Sequence, residues 1–536
     1  MTTDTGRAGN VEKSLFAAAI FLIALAAYMQ YGAGDAGDKG WLLLAARMWL
    51  SGKRLYVDIF ETNLPLIVWL YSLPVWLSLH LGMQDSQLLA LLTLLAAGCS
   101  VALCDRLLRF HPAFAHDARK RAWHAILLAL TFVFWTNISA FGDREHLFLV
   151  FAFPYLLRCS PSLTRAALPL SLRLAIACMG AVGFCIKPHC ALIFLGVQAL
   201  TLWRERSLRM LWNLENGIIC AGGAAYLLLV WLLAPEFFFN VLPMEWVSYG
   251  AYSMGAARIM FFLPSLLILG VAFVDFRPRD VSPYRKDILY FLGICVFLLL
   301  YVFANNGWGY TFYPLNSMAL FAVAWLWWEF RWLKREATAR GTLTRRLSQG
   351  GYACAMVLGA NILLTMLPYA IVYSGGMPMP RKQNIAADLL DVMKENHFDT
   401  FGGLSPSFKI WPVLARNAGA QMETRYHHLW MMPSFVLGNE AFIRKQAWVP
   451  AYVATTLAED MDRNKPEVMF VDTSPEFFST RKPLDLIAYF SSTPAFKEAW
   501  NHYAWMKRVS HCEDEGPNGK KVEQFQCRYD VFRRVR

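Results

Sequence analysis

The chain has 536 residues, 56% hydrophobic and only 17% charged, with a mean hydropathy of +0.34. So little polar material cannot cover the surface of soluble domains of this length, although a formal net charge of +12 on its own points to nucleic acid or an acidic surface. An aromatic content of 15% excludes disorder, and the counts of 34 Gly, 25 Pro and 11 Cys exclude collagen-like and disulfide-stapled classes.

A helix needs about 20 apolar residues to cross a bilayer. Runs of this type lie at 13–31, 64–82, 86–108, 122–141, 145–158, 172–186, 189–203, 213–233, 258–275, 287–304, 312–330 and 350–373. The shorter ones read as broken or partial spans. The first reads as a retained span, since no small-residue cleavage site follows it. Residues 1–375 hold 30 Lys+Arg and 20 Asp+Glu, a net of +10. Of these 30 basic residues, 21 fall in five connectors, Arg106 to Arg121, Arg158 to Arg173, Arg204 to Arg209, Arg277 to Lys286 and Arg331 to Arg346. Basic connectors stay on the cytoplasmic side. With the N-terminus inside, all five satisfy that rule only if 64–82 does not cross, and Pro65 and Pro74 chop this run. The expected architecture is therefore about eleven transmembrane helices plus one re-entrant or interfacial segment, N-terminus in and C-terminus out. Twelve full spans with a weaker charge rule are the alternative.

Residues 376–536 carry 21 Lys+Arg and 19 Asp+Glu and no membrane-length run. They read as one soluble domain, expected to be α/β. Ala386 to Asn396 has helical periodicity, and Val468 to Val471, ending in Asp-Thr-Ser-Pro, suits a buried strand. Pro483 to Tyr489 and Ala495 to Trp505 look helical. Nine of the eleven cysteines lie in or beside the apolar runs, where Cys behaves as a small hydrophobe. Cys512 and Cys527 lie in the outward domain, where a disulfide and two unpaired thiols are both open. No zinc spacing, CxxC or P-loop occurs.

The topology gathers polar residues at the outward face. The first loop runs Tyr31-Gly-Ala-Gly-Asp35-Ala-Gly-Asp38-Lys-Gly-Trp41, continues as an amphipathic stretch to Gly52, and reaches Tyr56, Asp58, Glu61, Asn63 and Pro65. Further outward corners are Phe141-Gly-Asp143-Arg144-Glu145-His146, Lys187-Pro188-His189, and Asn305 to Pro314 with Trp308, Tyr310 and Tyr313. Ionisable residues at span ends are costly to bury and mark functional candidates. Plainer roles are open to each. Asp35 or Asp38 can cap a helix, Asp143 and Glu145 can pair with Arg144, Lys187 can snorkel, and the tyrosines can belong to an aromatic belt. Together, carboxylates suit proton abstraction or metal binding, cations suit a phosphate leaving group, and an apolar groove suits a lipid tail.

On these residues the chain resembles the GT-C superfamily of polytopic glycosyltransferases, which includes protein O-mannosyltransferases, lipid A aminoarabinose transferases and oligosaccharyltransferase catalytic subunits. The resemblance covers about residues 10–375. It rests on the acidic first loop Asp35-Ala-Gly-Asp38, the helical stretch Trp41 to Leu50, Gly52, Tyr56, Glu61-Thr-Asn-Leu-Pro65-Leu, Asp143 two spans later, and the Lys187-Pro188 corner. Aminoarabinose-transferase-like members read Glu-Lys-Pro-Pro-Leu where this chain has Glu61-Thr-Asn63-Leu-Pro65-Leu, so no lysine stands beside Glu61. A C-terminal periplasmic domain also matches the family's habit.

The resemblance implies an enzyme of the bacterial inner membrane that moves a sugar from a polyprenyl-phosphate donor to a periplasmic glycan, lipid or protein acceptor. Asp38 matches the general base by position, with Asp35 next and Asp143 as a further catalytic carboxylate. Arg144, His146, Lys187, Tyr310 and Tyr313 would bind the donor phosphate, and Glu61, Asn63 and Glu145 would orient the acceptor. Some members use a divalent cation and others do not. No close carboxylate cluster marks a metal site here, and nucleic acid is not an expected partner. A transporter or flippase of a lipid-linked glycan is the alternative, predicting midplane charges and an inverted repeat. A non-catalytic assembly protein would not need the acidic first loop.

Overall fold

Helix dominates the chain, as it must wherever backbone polar groups meet lipid and cannot bond to water. The computed structural model describes residues 3–32, 38–136, 140–249, 284–304, 309–336, 385–407, 410–474, 484–511 and 527–535. A helix lies on every predicted apolar run within these ranges. The set comprises α1 (Thr3–Gly32), α2 (Asp38–Leu50), α3 (Leu66–Leu81), α4 (Asp85–Leu108), α5 (Ala118–Ala129), α6 (Arg144–Arg158), α7 (Leu170–Cys185), α8 (Cys190–Glu205), α9 (Leu214–Leu233), α10 (Leu242–Ser248), α11 (Arg285–Ala304) and α12 (Tyr313–Glu336). A π-helical turn, Leu130–Phe134, continues α5. The runs 258–275 and 350–373 lie outside the described residues. Among those described, four helices are long and apolar enough to cross a membrane: Lys13–Gly32 of α1, α4, α9 and α11. Those of α1 and α9 are mostly not covered by protein, so their apolar sides suit contact with lipid.

The chain divides into two compact units. The first comprises Met1–Ala33, Gln87–Leu228 and Met254–Gly375. The second comprises Gly34–Ser86, Leu229–Ser253 and Gly376–Arg536, and so joins the first loop to the C-terminal residues. In the first unit α6 packs on α7. Glu145 bonds Lys187 just beyond the end of α7, while Arg158 and Arg173 share Glu215 at the opposite end. The two helices are therefore antiparallel, with ionic groups confined to their ends.

The second unit contains the sheet, built from β1 (Thr400–Leu404), β2 (Gln421–Met422), β3 (Val468–Asp472), β4 (Tyr503–His511) and β5 (Cys527–Arg534) in the order β2-β1-β3-β5-β4. β1 pairs parallel with β2 and β3, whereas β5 pairs antiparallel with β3 and β4. Besides α2, α3 and α10, its described helices are α13 (Ile385–Glu395), α14 (Trp411–Ala418), α15 (Met432–Leu437), α16 (Glu440–Lys445), α17 (Trp448–Asn464), α18 (Leu486–Phe490) and α19 (Pro494–Trp500). The Gly402-Gly403 pair in β1 lets neighbours close in, since a Cβ on Gly403 would collide with the Trp411 ring and one on Gly402 with Met469. The helix expected over Ala495 to Trp505 stops at Trp500. From Tyr503 the chain pairs with β5, and this sheet contact overrides local helical pattern. Cys512 lies outside the described residues.

The stretch expected to be amphipathic, Trp41 to Leu50, is helical but buried nearly all round. Lys39 to Ala46 and Met48 are all buried. α2 packs on α3 and on α14, all in the second unit. An all-round apolar helix in a protein interior has this character.

Candidate functional site

The first-unit candidates gather at the start of α6. Gly142 has φ of +82°, the left-handed region, and Thr93 and Leu89 crowd the place of its missing Cβ. This turn delivers Asp143 as the α6 N-cap, its carboxylate accepting from the Arg144 backbone N–H at 2.7 Å and lying 3.3 Å from the Arg144 Nε. Asp143, expected among the catalytic carboxylates, thus holds the helix end that presents the next three side chains.

Glu145 is 2% exposed. Its Oε1 accepts from the Lys187 ammonium and, at 3.1 Å, from the Tyr301 hydroxyl. Its Oε2 is buried and has no hydrogen-bond partner among the described residues. The Lys187 Nζ lies 5.5 Å from the centre of the Tyr310 ring, and the Arg144 guanidinium 6.0 Å from the same centre. Two cations therefore lie near one aromatic ring in a largely dehydrated place, a geometry in which cation–π attraction adds to the ion pair. Such a cluster can grip an anion with Arg144 and Lys187 while the open carboxylate oxygen accepts a hydrogen bond from a hydroxyl group.

His146 is committed to the backbone. Its Nδ1 accepts from the Gly142 N–H at 3.1 Å and its Nε2 faces the Phe132 carbonyl at 2.7 Å. That pair fixes a neutral ring with the proton on Nε2. Tyr313 is buried too, and its hydroxyl donates to the Thr131 carbonyl at 2.8 Å. Both of these expected phosphate ligands tie the π-helical turn to neighbouring elements.

The second-unit candidates form a separate cluster around Glu61, 1% exposed. Oε2 accepts from the Trp41 indole, and Oε1 from the Asn63 side-chain amide and, at 2.9 Å, from the Asn63 backbone N–H. Tyr56, at φ of +65°, donates its hydroxyl to the Asn63 carbonyl at 2.6 Å. The loop after α2 is thereby folded onto its own carboxylate. Trp41 also stacks on His427 at 3.9 Å and 10°, and His427 meets His428 at 4.2 Å. The Nδ1 of His428 is shut away from solvent. Burial, and then the neighbouring His427, hold its ring well below the usual histidine range. Asp38 is the first residue of α2, half-buried, in the same unit. Asp35 lies outside the described residues, as do Asn305 to Trp308.

Thus Arg144, Glu145, Lys187 and Tyr310 come together in the first unit, and Glu61 and Asn63 in the second. Tyr301, His427 and His428 were not among the expected residues. The adjacent histidines are a visible signal in the sequence, whereas Tyr301 sits in an apolar run and gives none. Among the described residues no group of three or more His, Cys, Asp or Glu side chains is arranged to hold a metal ion. No protein-family model matches the chain, and no curated protein is significantly similar to it.

Proposed function

We propose that the chain is a polytopic glycosyltransferase of the bacterial inner membrane, moving a sugar from a polyprenyl-phosphate carrier to a periplasmic acceptor. The observation that carries this reading is the Glu145–Lys187–Tyr310–Arg144 cluster, in which two cations and an open carboxylate oxygen are buried together at the end of a helix pair. A buried polar atom without a partner calls for one, and a sugar or acceptor hydroxyl supplies it. Phosphate is the leaving group that paired Arg and Lys side chains recognise.

In this reading the acceptor hydroxyl oxygen attacks the anomeric carbon, the bond from that carbon to the phosphate oxygen breaks, and the lipid phosphate departs with the electron pair. Asp38 takes the hydroxyl proton, and Arg144 and Lys187 neutralise the charge that grows on the phosphate. Glu145 positions Lys187, and the Glu61–Asn63 loop shapes the acceptor side.

The proposed topology is about eleven spans with α3 as the re-entrant or interfacial segment. α3 is only 16 residues long and contains Pro74, which supports that role. The test is to incubate the purified chain with a panel of polyprenyl-phosphate sugars and follow lipid-phosphate release. Sugar-dependent release with at least one donor is expected. Donor binding followed by vesicle-to-vesicle movement without bond cleavage would replace the enzyme by a transporter.

A further inference from the structure

A cavity of about 150 Å³ opens in the first unit at the connector between α8 and α9. It lies at the other end of α6 from Glu145, about 20 Å away at the helical rise over the 13 residues to Arg158. Its wall is built by a closed polar ring. The Gln198 amide donates to the Tyr155 hydroxyl at 2.6 Å, that hydroxyl donates to Asn216 Oδ1 at 2.6 Å, and the Asn216 amide donates back to Gln198 Oε1 at 2.7 Å. Arg158 and Arg173 share one carboxylate, Glu215, the second in a two-pronged contact at 3.0 and 2.7 Å. Arg158 and Glu215 line the cavity and Arg173 binds the same carboxylate, so the cluster carries a net positive charge. Arg209 also lines the cavity, is exposed, and pairs with no carboxylate among the described residues.

The surrounding connector, with Trp212 on the cavity wall, has the opposite character. Trp212 is 88% exposed, Trp203 69% and Leu208 65%. Two residues beyond Trp212 begins α9, which is long and apolar enough to cross a membrane and is little covered by protein. Exposed tryptophans beside a span end sit at headgroup depth, and the Arg204 to Arg209 connector is one of the five basic loops. Anionic lipids concentrate against such connectors.

We propose that this cavity seats the phosphate of an anionic phospholipid headgroup, with Arg209 as its direct cation and the acyl chains against Trp203, Leu208 and Trp212. The assignment rests on the membrane-spanning character of α9 and is independent of sugar transfer.

The experiment uses the purified full chain in neutral detergent. Binding of phosphatidylglycerol, phosphatidylcholine and inorganic phosphate is read by native mass spectrometry and by the shift in unfolding temperature. Phosphatidylglycerol is expected to bind and raise that temperature, with phosphatidylcholine and phosphate giving little shift. Arg209→Ala is expected to weaken phosphatidylglycerol about tenfold, the effect of losing a charge-assisted contact. Arg109→Ala, on a different connector, should leave binding unchanged. Equal binding of phosphatidylcholine, or wild-type affinity in Arg209→Ala, overturns the site. Inorganic phosphate binding as tightly as the lipid also overturns it, leaving a free-anion pocket. If Arg209→Ala already unfolds early without lipid, Trp212→Ser carries the same test by the same criterion.

Discussion

Glu145 and Lys187 are held in a place where neither charge tolerates the loss of the other. Both are almost fully buried, and removing one partner of a buried pair costs about 3–5 kcal/mol because the other stays charged and dehydrated. Glu145→Gln and Lys187→Met should each lower the unfolding temperature in detergent, and the double variant should recover part of the loss. Two independent, additive losses in that cycle would show that the pair is not coupled. At this scale the sequence exposed the charged corners but not their partnerships. Asp143 was legible as an acidic residue beside a span, yet its capping role depends on the Gly142 turn. His146 looked like a ligand because the backbone groups of Gly142, four residues before it, and Phe132, fourteen before it, meet its ring only in the fold. Tyr301 gave no signal, since a tyrosine within an apolar helix reads equally as packing.

Elements were the most legible level, because length and hydropathy alone specify an apolar helix. α3, α4 and α9 match their predicted runs within a few residues at each end. α2 differed in character. The amphipathic pattern suggested a broad wet face, but Lys39 is buried, α3 and α14 pack on the helix, and Arg47 stays exposed and reaches Asp85. The long helix α17 and the strands β1, β4 and β5 escaped notice, since a Gly-Gly pair in β1 and alternating charges in β4 and β5 hide their pattern. The Gly402-Gly403 pair turns out to be a close-approach device. Gly403→Ala should destabilise the second unit by about 1–3 kcal/mol through overpacking against Trp411. Thermal unfolding followed by tryptophan fluorescence checks this, and an unchanged midpoint would mean that Trp411 yields freely.

For the whole molecule, the excess of +10 in residues 1–375 and the balance of only +2 after them separate two effects that the overall +12 merges. In the proposed topology the charge of the first part lies mainly in connectors on one side of the membrane, and nucleic acid is not among the proposed partners. The orientation has a direct consequence at Arg119, in the first basic connector. A cysteine placed there should resist an impermeant thiol reagent in intact cells and react after permeabilisation, whereas labelling in intact cells would make the 64–82 segment a full crossing. Contact between distant segments was the least legible level. The second unit unites 34–86 with 376–536, through bonds such as Lys53 to Glu423 and Arg463 to Asp58, both with oxygens 2.7 to 2.8 Å away. Nothing in local composition announces pairs nearly 400 residues apart. The central claim is sugar transfer driven by Asp38. Its most direct test is lipid-phosphate release by the purified Asp38→Asn variant beside the wild-type chain, with a donor on which the wild type is active. The account predicts that release is abolished while the unfolding temperature and donor binding stay at wild-type values. Release at the wild-type rate would contradict it.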